Sequence, residues 1–207
     1  MRKVTRKNLD KLAETMPVID EIDQKIFLGG THYYDLSGNY LGKIGSSDNL
    51  RFTTPDLYQY YIPINAENGG FTFANADSGV QTSFLQKYFV SGNIIINPSS
   101  NYAAGLNGSG NLVIDPNSFI WNNQNDIFST LDHESMHYNQ GDYLKTNPDE
   151  INQAEFTTYM AQISTSRYQQ TSAAYKRETA EALYRYSELL NKGYSKSQIY
   201  SMCGVTS

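Results

Sequence analysis

His133-Glu134-Ser135-Met136-His137 are the residues of this chain whose types and spacing can do chemistry. On a helix, residues four apart lie one turn above each other on the same face. Two imidazoles so placed can close on one metal ion, and the glutamate beside them can act on a metal-bound water. The whole chain holds three histidines, and this pentad uses two of them. The flanks decide between a site and a chance match, and they read as helix. Asn125 suits an N-cap and Asp126 the first turn, where a negative charge meets the positive end of the dipole. Phe128, Leu131 and Ser135 fall on one side, with Asp126, Thr130, His133 and His137 on the other. No Gly or Pro interrupts the run before Gly141. The helix is expected to bury one stripe and turn its histidines toward a cleft.

Two histidines do not complete a catalytic zinc site, which usually has three protein ligands and a water. The third histidine, His32, is lone and reads as solvent-exposed, so an acid must serve. Asp142 follows the active helix. Asn147-Pro148-Asp149-Glu150 is a strong helix start, with Asn as cap, Pro at the first position and Glu150 placed to reach back in a capping box. Glu155 has no such task. It falls mid-helix on a face with Ile151, Tyr159 and Gln162, where a carboxylate beside apolar neighbours needs a partner.

At this point the residues resemble the gluzincin branch of the zincin metallopeptidases, which carry a His-Glu-x-x-His helix and a glutamate on a following helix some twenty residues on. Glu155 comes eighteen residues after His137, in Glu155-Phe-Thr-Thr-Tyr159-Met-Ala-Gln162. This is similar to the Glu-x-x-Ala-Tyr-x-x-Gln helices of small bacterial metallopeptidase domains, including those of secreted toxins; Thr158 stands where alanine is usual. The metzincin pattern does not fit, because position 143 is Tyr and Gly141-Asp142 is out of step with it. The resemblance covers about 125–165. It implies zinc held by His133, His137 and Glu155, with Glu134 taking a proton from the zinc-bound water and passing it to the leaving amine. It also implies a polypeptide substrate, and Tyr159 or Tyr138 as a donor to the oxyanion.

The elements that must position these residues give an α+β class: antiparallel strands first, then three or so helices. Thr31–Thr54 reads as a strand meander, with Ser37-Gly38-Asn39 as its hairpin turn. Residues 55–80 are aromatic and rich in Gly and Asn, and Thr82–Phe89 reads as a short helix. Strands are expected at Asn93–Asn97 and Asn111–Asp115, stopped by Pro98 and Pro116. Ser99–Gly110 between them reads as a mobile loop. Either strand could be the sheet edge that pairs with an extended substrate, as in zincins. After residue 165 the chain stays helical, with Leu183, Tyr186, Leu189 and Leu190 as an apolar stripe, Gly193 as a stop and Ser195 as the cap of a last helix. That part reads as scaffold behind the site. The catalytic core is expected within 90–190 of a domain spanning 31–207.

Residues 1–30 differ from the rest. They hold six Lys/Arg against five Asp/Glu, whereas all 17 tyrosines follow position 30. The segment ends in Phe27-Leu28-Gly29-Gly30 and lacks the apolar core of an ordinary signal peptide. It resembles a double-glycine leader, removed after Gly29-Gly30 by the peptidase domain of an ABC exporter. Met16, Ile19 and Phe27 stand at the expected apolar places and Asp23 at the acidic one; Gln24 departs from the pattern. The resemblance implies a secreted protein beginning at Thr31, in which Gly30→Val blocks processing without touching the fold. A cytoplasmic protein with an ordinary N-terminal helix is the alternative for location. An exported zinc-binding effector or bacteriocin-like binding protein without turnover is the alternative for function. Charged residues make up 18% of the chain and its net charge is −5, which speaks against a nucleic-acid partner. The apolar runs are too short for a membrane span. Cys203 is the one cysteine, so neither a disulfide framework nor a cysteine-rich metal site is available.

Overall fold

The computed structural model describes residues 30–45, 47–60, 70–89 and 92–205. Residues 1–29 of the expected leader, Gly29 among them, lie outside them, and Gly30 is the one leader residue described. The described chain is mixed α+β, with two three-stranded sheets laid against a set of helices.

The first sheet has β1 (Thr31–Tyr34) in its centre, β2 (Tyr40–Ile44) antiparallel on one side and β3 (Leu50–Phe52) parallel on the other. The hairpin turn falls where expected, with Gly38 in the left-handed region at φ 78°. The meander does not: β3 pairs with β1 rather than with β2. Burial explains the choice, because Leu50 and Phe52 are both sealed off from solvent. Beside β1, Phe52 meets Phe84 and Phe73 at ring centroids 5.4 and 6.1 Å apart. Those rings belong to one aromatic core, which Tyr34 and Trp121 complete.

His32 is a second correction. It is buried in β1, with Nδ1 3.3 Å from the Tyr40 hydroxyl and Nε2 3.6 Å from Asp48. Gly30 is buried too, at the head of the central strand, where a Cβ would lie 2.1 Å from the Gly45 carbonyl oxygen. A Gly30→Val change in the uncut chain therefore strains the sheet and cannot be silent for the fold.

Helix α1 (Pro55–Tyr60) and helix α2 (Ser78–Tyr88) follow. The second begins four residues before the expected Thr82, because Asp77 caps it by accepting from the Val80 N–H. The second sheet contains β4 (Ile94–Ile96), β5 (Ala104–Leu106) and β6 (Leu112–Ile114) in the order β4-β6-β5. Both expected strands are present and parallel to each other. The segment read as a mobile loop holds the third strand, β5, antiparallel to β6. Its turn is closed locally: Asn107 Oδ1 accepts from the N–H groups of Ser109 and Asn111, each at 3.0 Å.

A 3₁₀ turn at Phe119–Asn122 leads into helix α3 (Gln124–Gln140). A second 3₁₀ turn at Asp142–Leu144 precedes helix α4 (Pro148–Ile163), and helices α5 (Ser166–Gln169), α6 (Ala173–Leu189) and α7 (Lys196–Met202) complete the chain. Ser195 caps α7 in a full capping box with Gln198, as its position suggests. Of the expected stripe, Leu183 is fully buried and Tyr186 and Leu190 pack on the core, whereas Leu189 is 56% exposed and lies outside it. Among the described residues no helix is long and apolar enough to cross a membrane.

Candidate metal centre

Helix α3 is held at its start from two directions. Its cap is Asn123 rather than Asn125: Asn123 Oδ1 accepts from the N–H groups of Asn125 and Asp126 at 2.9 and 3.2 Å. The first sheet grips the same end, since the Gln124 N–H donates to Asp48 and the Tyr34 hydroxyl donates to Gln124 Oε1 at 2.7 Å. Asp126 is buried and accepts from the Ser172 N–H and hydroxyl at 2.8 and 2.7 Å. That ties the start of α3 to the cap of α6. A strand region that holds none of the candidate residues thus fixes the helix that carries two of them.

Two turns later the histidines converge. His133 Nε2 and His137 Nε2 are 3.0 Å apart, and Glu155 Oε2 on α4 is 3.5 Å from each. His133, His137 and Glu155 form the group among the described residues whose ligand atoms could hold a metal ion. About 3.4 Å between ligand atoms is what a tetrahedral ion with bonds of about 2.1 Å requires. Glu150 remains exposed at the start of α4 and is not in the group.

The outer nitrogens are also engaged. His133 Nδ1 is 3.2 Å from Gln162 Oε1, and His137 Nδ1 is 2.9 Å from Asp142 Oδ2. Gln162 has no freedom to turn round, because its Nε2 donates to the Ser129 carbonyl at 2.9 Å, to the Ser129 hydroxyl at 3.0 Å and to the Tyr175 hydroxyl at 2.9 Å. Each Nδ1 is thereby a donor, which leaves both Nε2 lone pairs facing the same point. Two lone pairs at 3.0 Å repel unless a cation or a proton lies between them. The donor set, its spacing and its outer hydrogen bonds all fit a divalent metal.

The electrostatics follow from that crowding. Burial works against a charge on His137, but the Glu155 carboxylate, with Asp142 and Glu134, outweighs it and raises the imidazole to about 9. Burial alone would raise Glu155; hydrogen bonds and charge from the two histidines instead hold it down at about 2. Glu134 is buried between α3 and β5, and desolvation pushes its carboxyl up despite the two histidines and the Leu106 N–H. Lys145, 2.5 Å from Asp142 Oδ1, outweighs burial there and keeps that carboxyl ionised.

Strand β5 runs beside this group. The Ala103 carbonyl accepts from the Asp115 N–H and the Asn107 N–H donates to Asn111. Alternation along an antiparallel ladder then turns the backbone groups of Ala104 and Leu106 away from β6. Both residues line the cleft over the histidines. That cleft has a lobe of about 600 Å³ holding His133, Glu134, His137 and Glu155, and a neighbouring lobe of about 390 Å³ that shares His133 and Glu134.

Tyr159 lines both lobes, its ring 4.3 Å from that of His133 and stacked on Tyr186 at 6.0 Å. Burial and the nearby Glu155 carboxylate raise its phenol well above the ordinary value, so it is a donor at neutral pH. Tyr138 is differently placed: it packs against Phe89 and Tyr143, and it lines neither lobe. Asp142 and strand β5 are additions to the site that the sequence pattern does not mark, and α6, expected as scaffold, walls both lobes. Gly141, with φ at 70°, was the available signal for Asp142, since a left-handed C-cap folds the chain back over the last helical turn.

Compared with family models, curated proteins and solved structures, the chain matches none of them.

Proposed function

We propose that this chain is a zinc-dependent peptidase of zincin type, cutting polypeptides within an open groove. The observation that carries the reading is the convergence of His133 Nε2, His137 Nε2 and Glu155 Oε2 on one point, with Glu134 buried beside them. Zinc held by these three atoms would supply a Lewis acid that acidifies a water and polarises a peptide carbonyl. Gln162 and Asp142 fix the ring orientations, so that each imidazole turns its Nε2 to the place the ion would take. Glu134 accepts a proton from the attacking water and returns it to the leaving amine. Its raised carboxyl pKa suits a group that must hold the proton between those events.

The Tyr159 hydroxyl is the donor for the oxygen that gains negative charge, whereas Tyr138 is no longer a candidate. The outer edge of β5 supports an extended polypeptide substrate: the Leu106 N–H is taken by Glu134, but the other outward backbone groups of Ala104 and Leu106 can pair with one more strand. Lobes on both sides of Glu134 favour cuts inside a chain over trimming of its ends. Export through an ABC transporter belongs to the same reading and rests on the sequence of 1–30.

Glu134→Gln tests the chemistry. Glutamine keeps the shape and cannot accept the proton, so cleavage of an unstructured protein should fall at least about 100-fold. Zinc stoichiometry should stay the same. Undiminished cleavage by the variant would remove Glu134 from the mechanism.

A further inference from the structure

Helix α6 walls the cleft along its whole length. Glu178 and Ala182 line the smaller lobe, and Arg185 lines the larger. Spaced four and then three apart, these residues share one face of the helix. That face therefore carries a carboxylate at one end and a guanidinium at the other, about 10 Å apart along the axis. Both side chains are exposed, and among the described residues neither is in an ion pair. Arg185 lies over the Tyr186 ring, its guanidinium carbon 5.0 Å from the centroid. The other charges of the larger lobe are spoken for: Lys145 is paired with Asp142, and Glu155 faces the two histidines. Glu134 lines both lobes and is taken up by the proton transfer proposed above, so in the smaller lobe Glu178 is the remaining charge.

Strand β5 sets the direction. It runs from the smaller lobe, which Ala103 lines, to the larger, which Leu106 lines. A peptide pairing antiparallel with β5 lays its N-terminal part in the larger lobe and its C-terminal part in the smaller. It meets Arg185 before the scissile bond and Glu178 after it. At about 3.3 Å per extended residue, 10 Å is roughly three positions.

We infer that the cleft selects peptides with an acidic side chain N-terminal to the cut and a basic one about three positions later, C-terminal to it. This rests on the peptidase reading above for the location of the cut. Exposed pairs of this kind give about three-fold each at ordinary salt, and less as salt rises.

The test uses zinc-loaded Glu134→Gln protein and two labelled peptides of identical composition, one with the acid first and one with the base first. Fluorescence anisotropy should show the acid-first peptide binding roughly ten-fold tighter, with the margin shrinking in 1 M salt. The double change Glu178→Lys and Arg185→Glu should reverse the order, and Glu178→Gln with Arg185→Gln should abolish it. Equal binding of the two peptides, or a preference untouched by either pair of changes, would overturn the inference. Cleavage by the wild-type protein is read in parallel. Selective binding with no cleavage would leave the charge selection standing and remove the peptidase reading, whereas unselective cleavage would do the reverse.

Discussion

At the scale of single residues, the two histidines depend on partners that do not touch the metal point. Asp142 holds His137 Nδ1 at 2.9 Å and is itself held by Lys145. Asp142→Asn keeps a hydrogen-bonding oxygen but removes the charge that favours the required tautomer. Zinc affinity should drop 10–100-fold, as is usual for loss of such a partner, while the helical signal is unchanged. A competition titration against a chelator checks this, and unaltered affinity would show that the contact is incidental. The three residues that could hold a metal ion were legible in the sequence. The spacing of the histidines requires one helix face, and Glu155 had no structural task to explain it. Asp142 was legible only through Gly141, whose left-handed turn folds the chain back, and helical periodicity gives no sign of it. Gln162 was visible as a neighbour of Glu155, but its bond to His133 is a tertiary fact between α3 and α4.

At the scale of elements, strand β1 carries a pH dependence independent of the metal group. Burial, with help from Lys43, lowers His32 from the ordinary 6.5 to about 4, although Asp48 acts in the opposite direction. Below pH 6.5 the unfolded chain takes up a proton that the folded chain refuses until about pH 4. Stability from this residue is therefore complete above pH 6.5, falls as pH drops toward 4 and levels off below it. The loss amounts to at most about 3 kcal/mol. Urea titrations across that range should show the slope in wild-type protein and a flatter profile in His32→Gln; parallel profiles would assign the dependence to other groups. Helix ends were easier to foresee than strand partners. Asn147 and Ser195 cap the helices their positions suggest, because a cap acts within three residues. The partner of β3 and the existence of β5 depend on contacts far along the chain. Ala104-Gly105-Leu106 also has too little side chain to stand out from the Gly- and Ser-rich residues around it.

At the scale of the whole molecule, the first sheet, the 3₁₀ turn at Trp121 and helix α6 converge on the start of α3, and the second sheet lays one free edge along the middle of that helix. The α+β class was readable from pattern, but the order only in part, since α1 and α2 stand between the two sheets and each sheet holds a parallel pair. That the first sheet anchors α3 was not, since it acts through Asp48, Tyr34 and Gln124, ordinary types in a sequence. The central claim is that this frame brings three side chains from two helices onto one metal ion. Zinc content of protein equilibrated with zinc and then desalted tests it most directly, comparing wild type with Glu155→Ala and Glu150→Ala. The expected result is one zinc per chain in the wild type and in Glu150→Ala, and none retained in Glu155→Ala. A wild-type chain that retains no zinc, or a Glu155→Ala chain that retains a full equivalent, would contradict the account.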